Sequence, residues 1–110
     1  MISIPTVNEG SSSVLLISFL DDKGLGIIPD SGIYRIDDID SGVNIKKNTV
    51  FYPVDTNCEI CFSSEDNRII NMDKAYEGRM VTVRWIKSLH DSDVNGTEEY
   101  RYNVKKLYIS

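Results

Sequence analysis

Histidine and cysteine, which often serve in catalysis, metal binding and disulfide bonds, are scarce in this sequence. Its 110 residues include one histidine and two cysteines, whereas small secreted domains are usually held together by several disulfide bridges. The histidine, His90, is not accompanied by the G-x-S-x-G motif of a serine hydrolase. No convergent set of acid, base and nucleophile is evident. We therefore expect a protein that folds in a cytoplasm, is not an enzyme and uses no cofactor.

Long hydrophobic segments and an excess of positive charge are also missing. The apolar run at 14–20 is too short to cross a bilayer, and neither a basic segment nor a small-residue cleavage site accompanies it. The formal net charge is −5, and a negative field repels phosphate groups. The sequence therefore predicts no signal peptide, and neither a membrane nor a nucleic acid as a partner.

The sequence does have enough apolar residues for a core. The hydrophobic fraction is 41%, with six tyrosines, three phenylalanines and one tryptophan, which argues against disorder. A chain of this length is also of ordinary size for one domain. We expect residues 1–110 to form a single domain.

The clearest structural signal is a β-hairpin at residues 79–109. Apolar and polar side chains alternate on both sides of Asn95-Gly96, and such alternation places one set on a single face of each strand. The alternating core residues are Val81, Val83 and Trp85 on the way in, and Tyr100, Tyr102 and Val104 on the way out. Asn-Gly is the strongest short-range turn signal, so the hairpin is predicted to turn at Asn95-Gly96. A change of parity predicts a β-bulge at Lys105-Lys106, which would turn Leu107 and Ile109 to a new face.

Turn residues recur about every 8–12 residues before the hairpin, as in a β-sandwich. Ile2–Pro5 is predicted to form an edge strand. Ser13–Leu20 is apolar on both faces, which indicates a strand that is central or covered by a neighbour or partner. Residues 63–78 predict a short helical turn between two sheets, capped by Ser63 or Ser64. We expect about seven strands, forming one all-β, immunoglobulin-like antiparallel sandwich.

Cys58 and Cys61 have the C-x-x-C spacing of zinc and redox motifs. The sequence contains no second cysteine pair, and residues three apart on a strand point to opposite faces. Cys58 is expected to point inward with Ile60 and Phe62, and Cys61 outward, as ordinary packing residues. The sequence predicts no metal site at this motif.

A partial calcium-loop pattern lies just before the predicted turn. Asp91-x-Asp93-x-Asn95-Gly96 matches the first six positions of a calcium-binding loop, but the twelfth position is a tyrosine instead of the required glutamate. Glu98 offers a carboxylate in a different geometry. A weak calcium site of Asp91, Asp93, Asn95 and Glu98 is therefore an alternative to a plain polar hairpin tip. It supports a second functional hypothesis, a carbohydrate- or calcium-binding adhesion module.

The order of turns and core residues along the chain resembles that of small Ig-like structural proteins of tailed bacteriophages. The residues that carry the resemblance are Glu9-Gly10-Ser11, the strand up to Phe19, Asp21-Asp22-Lys23-Gly24, Tyr34 to Asp38 with Gly42, Val81 to Val83, and Tyr100 to Val104 with Leu107. The resemblance implies a non-enzymatic virion protein, either a capsid decoration or cement protein or an accessory of the head–tail junction or tail. It implies phage capsid, portal or tail proteins as partners and leaves a homo-oligomer in the virion open. The expected location is the virion, and the host cytoplasm during assembly.

Contacts with such partners are expected at the open edges of the sandwich. Edge strands offer unpaired main-chain hydrogen-bonding groups, and apolar side chains can anchor an added strand. The candidates are Ile2 and Ile4 near the start of the sequence, and Leu107 and Ile109 near its end.

Overall fold

The computed structural model describes residues 5–89 and 93–107, and these form seven strands and no helix. The strands are β1 (Thr6–Asn8), β2 (Ser13–Ser18), β3 (Ser31–Asp38), β4 (Asn44–Phe51), β5 (Asn57–Phe62), β6 (Tyr76–Ser88) and β7 (Asp93–Lys105). The predicted all-β fold and strand number are confirmed. In this part of the chain no helix has the length and hydropathy to cross a membrane.

The strands form two sheets that face each other. The larger sheet has the order β1-β7-β6-β3-β4, and the smaller consists of β2 and β5. Every pair is antiparallel except β1 with β7, which run parallel. The predicted sandwich is therefore mixed at one edge instead of wholly antiparallel.

The core lies between the two sheets and follows the predicted alternation. Its buried apolar residues are Ile17, Phe19, Tyr34, Ile36, Ile60, Phe62, Val81, Val83, Trp85, Tyr102 and Val104. Phe19 meets Trp85 edge to face, with ring centroids 6.0 Å apart, and Phe62 stacks on Tyr102 at 5.6 Å. Aromatic pairs in these arrangements are favourable beyond the area they bury. The aromatic rings therefore join the small sheet to the long strands of the large one.

The β6–β7 hairpin is confirmed, but its predicted turn at Asn95-Gly96 is wrong. The register runs without interruption from Tyr76 opposite Lys105 to Ser88 opposite Asp93, so Asn95 and Gly96 lie within β7. Gly96 pairs with Trp85, and a Cβ atom at Gly96 would lie only 2.2 Å from the indole ring. Glycine is present there because the indole covers the backbone, so the local turn signal is overridden by packing.

Two further local predictions also need correction. The predicted bulge at Lys105-Lys106 is absent from the described register, because β7 ends at Lys105 and the Lys106 amide donates to the Ala75 carbonyl. The strand predicted at Ser13–Leu20 ends at Ser18, and among the described strands it is not central, since its one partner there is β5.

The segment between β5 and β6 crosses from one sheet to the other, as predicted, but it contains turns instead of a helix. The Asp66 amide donates to the Ser63 hydroxyl at 3.2 Å, and the Ser63 amide donates to the Asp66 carboxylate at 2.9 Å. This reciprocal pair resembles the capping box of a helix start. Ser63 makes the hydrogen bonds of a cap, but no helix follows it, so the predicted capping of a helix by Ser63 or Ser64 is wrong. The predicted edge strand Ile2–Pro5 lies almost wholly outside the described residues, and β1, which follows it, is at one edge of the large sheet.

Replacing Gly96 by alanine is expected to destabilise the protein by about 1–3 kcal/mol, the usual cost of overpacking a core. Urea denaturation measures this change. Gly78→Ala is the matched control, because the nearest atom there is the end of the flexible Ile39 side chain, 3.2 Å away. The cost of Gly96→Ala should fall in a Trp85→Leu background; an unchanged cost would contradict the packing explanation.

Candidate interaction surface

Five exposed apolar side chains lie on two adjoining loops at one end of the sandwich. The β2–β3 and β4–β5 loops meet there, since the Phe19 amide donates to the Thr56 carbonyl at 2.8 Å and Gly26 lies against the Thr56 side chain. We call the exposed apolar residues of these two loops the apolar tip: Leu20, Leu25, Ile28, Tyr52 and Val54. Val54 is 92% exposed and Tyr52 is 74% exposed. Exposed apolar side chains on adjoining loops are a candidate interaction surface.

The first loop presents its leucines through a tight turn. The Asp21 carboxylate accepts hydrogen bonds from the amides of Lys23 and Leu25, both at 2.9 Å. Gly24 has a positive φ of 79°, which glycine adopts without strain. Phe19 is fully buried beneath this turn, whereas Leu20 and Leu25 remain exposed. The Asp21–Gly24 turn predicted from the sequence therefore holds two apolar side chains outward on a fixed backbone.

The second loop is anchored by the residues that flank its exposed ones. Phe51 packs against the core, with its ring over Gly32, and Pro53 is buried. The side chains between and after them, Tyr52 and Val54, are exposed. The alternation of buried and exposed residues at 51–54 thus continues past the end of β4 and directs two apolar groups into solvent.

Asp30 ties the end of the first loop to the long hairpin. Its amide donates to the Ile86 carbonyl at 2.8 Å, and its carboxylate accepts from the Ser88 amide at 2.8 Å and from the Lys87 ammonium at 3.2 Å. The hydrogen bond from the Ser88 amide, helped by Lys87, holds the pKa of Asp30 below its ordinary value. The loop therefore has little freedom to lose when a partner binds.

The charges around the apolar tip are mainly acidic. Asp22 and Asp55 are exposed beside its leucines and Val54, and Lys23 is the exposed cation on the same turn. Rim charges of this kind affect partner choice and association rate more than affinity. The apolar tip thus suits an apolar patch with a basic border.

The opposite end of the sandwich holds a cluster of buried charges. Arg79 on β6 is fully buried, and its guanidinium lies 2.6 Å from the Glu77 carboxylate and 3.5 Å from the Asp38 carboxylate. The guanidinium also donates to the main-chain carbonyls of Asp66 and Arg68, at 3.2 and 2.7 Å. The Glu77 carboxylate accepts the amides of residues 70 and 71, at 2.9 and 2.7 Å.

These buried charges hold the β5–β6 crossover in place, because their hydrogen-bond partners are largely its main-chain groups. Asn67, also fully buried, extends the cluster by accepting from the Tyr102 hydroxyl and donating to the Ser11 carbonyl, at 2.9 and 2.7 Å. Burial raises the pKa of Tyr102 to about 12, so its hydroxyl stays protonated as the donor. The cluster joins β6, β7, the crossover and the β1–β2 turn.

Sequence reasoning missed this cluster, although a signal was present. Glu77 and Arg79 have the same parity as Val81, Val83 and Trp85, so alternation places them on the inward face of β6. Two opposite charges that continue an inward apolar series indicate a buried ion pair.

The predicted orientations of the two cysteines are confirmed. Cys58 is half-buried, with Ile60 and Phe62 buried on the same face, while Cys61 is exposed, and both thiols are free. Burial, with the nearby Glu59 charge, raises the pKa of the Cys58 thiol above its ordinary value, which opposes thiolate reactivity. No group of three potential metal ligands occurs among the described residues.

The structure does not bring the described calcium candidates together. Asp93 and Asn95 are exposed on the outer face of β7, whereas Glu98 lies on the opposite face, where it accepts a hydrogen bond from the Tyr100 hydroxyl. Asp91 lies outside the described residues. The calcium site stays a prediction from the sequence.

Leu107 is the one described member of the predicted partner-binding set. It is 42% exposed, and its amide donates to the Glu9 carboxylate at 2.7 Å. With Ile69 and Met72 it lines a shallow depression beside the β1–β2 turn. Ile2, Ile4 and Ile109 lie outside the described residues, so the role of this set stays a prediction.

Comparisons with known proteins do not name a family for this chain: no family model, curated protein or solved structure matches it.

Replacing Arg79 by methionine is expected to destabilise the protein by about 3–5 kcal/mol, since this leaves buried carboxylates without a cation. Arg35→Met is the matched control. Its partner Asp37 lies 2.8 Å away on the outer face, but the Arg35 side chain is 45% exposed, so the change should be about 0–1 kcal/mol. Urea denaturation compares the two variants, and similar costs would show that the buried cluster does not hold the crossover.

Proposed function

We propose that this protein is a non-enzymatic structural protein that binds other proteins through its apolar tip. The observation that carries the proposal is the concentration of five exposed apolar side chains on two adjoining, hydrogen-bonded loops. These exposed side chains add little to the stability of the isolated chain, because water still contacts them.

The physical basis for binding is burial of the apolar tip in a partner. Moving one valine or leucine side chain from water into an apolar environment contributes about 1.5–3 kcal/mol. Leu25 and Val54, which are 63% and 92% exposed, have most of that contribution still available. The Asp21 and Asp30 hydrogen bonds fix the loops beforehand, which reduces the entropy lost on docking.

The proposed setting is a bacteriophage virion, in which the protein decorates or cements the capsid or sits at the head–tail junction. The likeness of its turns and core residues to small Ig-like virion proteins of tailed phages supports this setting. Capsid, portal or tail proteins are the proposed partners, and the acidic border of the apolar tip favours a site on them with an apolar centre and basic rim.

The test compares virions carrying the wild-type chain with virions carrying Leu25→Asp and Val54→Asp together. Two carboxylates at the centre of the apolar tip should reduce the copy number in purified virions at least about tenfold. A tenfold reduction corresponds to a loss of only about 1.4 kcal/mol of binding free energy. Quantitative mass spectrometry measures the copy number.

Val43→Asp is the control, because Val43 is 49% exposed and lies on the β3–β4 loop at the opposite end. It should be incorporated normally, and the isolated variants should melt close to the wild type. Absence of the wild-type chain from virions would overturn the virion setting. Normal incorporation of the double variant would overturn the role of the apolar tip.

A further inference from the structure

One long edge of β2 has no strand beside it among the described residues. The small sheet contains only β2 and β5, in a continuous register from Ser13 opposite Phe62 to Ser18 opposite Asn57. One side of β2 is therefore paired and the other is open.

The hydrogen-bond pattern identifies which residues face the open side. The Phe19 amide donates to the Thr56 carbonyl at 2.8 Å, so Phe19 is a hydrogen-bonded position of the β2–β5 ladder. In an antiparallel ladder such positions alternate with ones whose amides and carbonyls point away. The main-chain groups of Val14, Leu16 and Ser18 consequently point to the open side of β2.

The other strands at sheet edges carry features that discourage pairing. β1 is only three residues long and follows Pro5, β4 contains Lys46 and Lys47, and β5 carries Glu59 on its outer face. Short length, proline and charge are the usual means of protecting an edge. β2 reads Ser-Val-Leu-Leu-Ile-Ser, with no charge, proline or glycine. It lacks these protections.

The outer face of β2 is also apolar. Val14 is 55% exposed and Leu16 is 69% exposed, and their side chains share this face with Cys61 across the ladder. The sequence indicates that this doubly apolar strand is central or covered by a neighbour or partner, and within the described chain it is neither central nor covered.

We propose that the open edge of β2 pairs with β2 of a second copy of this chain, antiparallel, with Leu16 opposite Leu16. In this register, residues on the outer face of one β2 strand lie opposite residues on the outer face of the other. Val14, for example, lies opposite Ser18 of the second copy. The main-chain groups that point away from β5 then bond to one another. The result is a continuous four-stranded sheet with two-fold symmetry, the commonest symmetry of homodimers.

The composition of β2 is compatible with a second copy as the occupant. The chain carries a formal charge of −5, so self-association requires an interface where like charges do not meet. In this register the uncharged β2 strands face each other. The pairing thus joins two acidic molecules along their neutral strand.

Sedimentation of the full chain over a range of concentrations is the first test. The wild type should show a monomer–dimer equilibrium. Leu16→Lys places two ammonium groups opposite each other at the symmetry axis and should weaken the dimer at least about tenfold. Val50→Lys is the matched control, because Val50 is 54% exposed on β4, an edge strand of the large sheet, and the dimer should persist.

Mixing variants tests the register itself. Leu16→Lys and Leu16→Glu should each be monomeric alone and should form a heterodimer together, since opposite charges then meet across the axis. A wild-type chain that stays monomeric, a dimer insensitive to Leu16→Lys, or a mixture that stays monomeric would each overturn the proposal.

A spin label on the exposed Cys61, in a Cys58→Ala background, measures the geometry directly. Strands lie about 4.8 Å apart and rise about 3.4 Å per residue. The two Cys61 positions, three strand spacings and four residues apart in this register, should therefore be separated by about 20 Å between Cα atoms. A clearly longer distance would place the interface elsewhere. This outcome is independent of the proposed function, because neither Leu16 nor Cys61 belongs to the apolar tip.

Discussion

The arrangement of the loops depends on keeping the buried Arg79 guanidinium paired. An unpaired charge inside a protein is far too costly to persist, so Glu77 and Asp38 must remain beside it. Glu77 in turn holds two amides of the β5–β6 crossover, and the guanidinium holds two of its carbonyls. Because the crossover joins the two sheets, this polar cluster fixes their relative position at one end, and the aromatic core fixes it in the middle. The loops at the other end can then expose apolar side chains without loss of order.

Alternation of side chains predicted the core of this protein well, because period-2 burial is a property of each strand by itself. Val81, Val83 and Trp85 are buried as a set, and Cys58 and Cys61 point to opposite faces as expected. The position of the hairpin turn was not predictable in the same way. Asn95-Gly96 has the strongest local preference for a turn, but the fold needs a glycine opposite Trp85. Local preference and long-range packing both select glycine, and the sequence does not distinguish them.

Residue type alone does not predict which charged side chains are buried and which apolar side chains are exposed in this protein. Polarity alone places Glu77 and Arg79 in water, and it places Leu16 and Val54 in the core. The structure reverses both placements. The buried pair follows from its parity on β6, which the sequence shows. The exposed residues have no such signal, because a strand that is apolar on both faces looks the same whether its cover comes from this chain or another. The apolar tip and β2 could therefore be recognised as surfaces only from the fold.

The relative position of the two proposed surfaces, the apolar tip and the open edge of β2, is relevant to the proposed structural role. β2 runs toward the loops of the apolar tip, since Ser18 leads directly into the Leu20–Leu25 turn. When two β2 strands pair antiparallel, their ends point in opposite directions, so the two apolar tips lie at opposite ends of the dimer. In the proposed dimer, each tip would engage a separate partner molecule. After one tip has bound, the second meets its partner at a raised effective concentration, and the combined affinity exceeds that of either contact alone. Weak individual contacts are therefore sufficient for a dimer of this shape to tie neighbouring subunits of a larger assembly together.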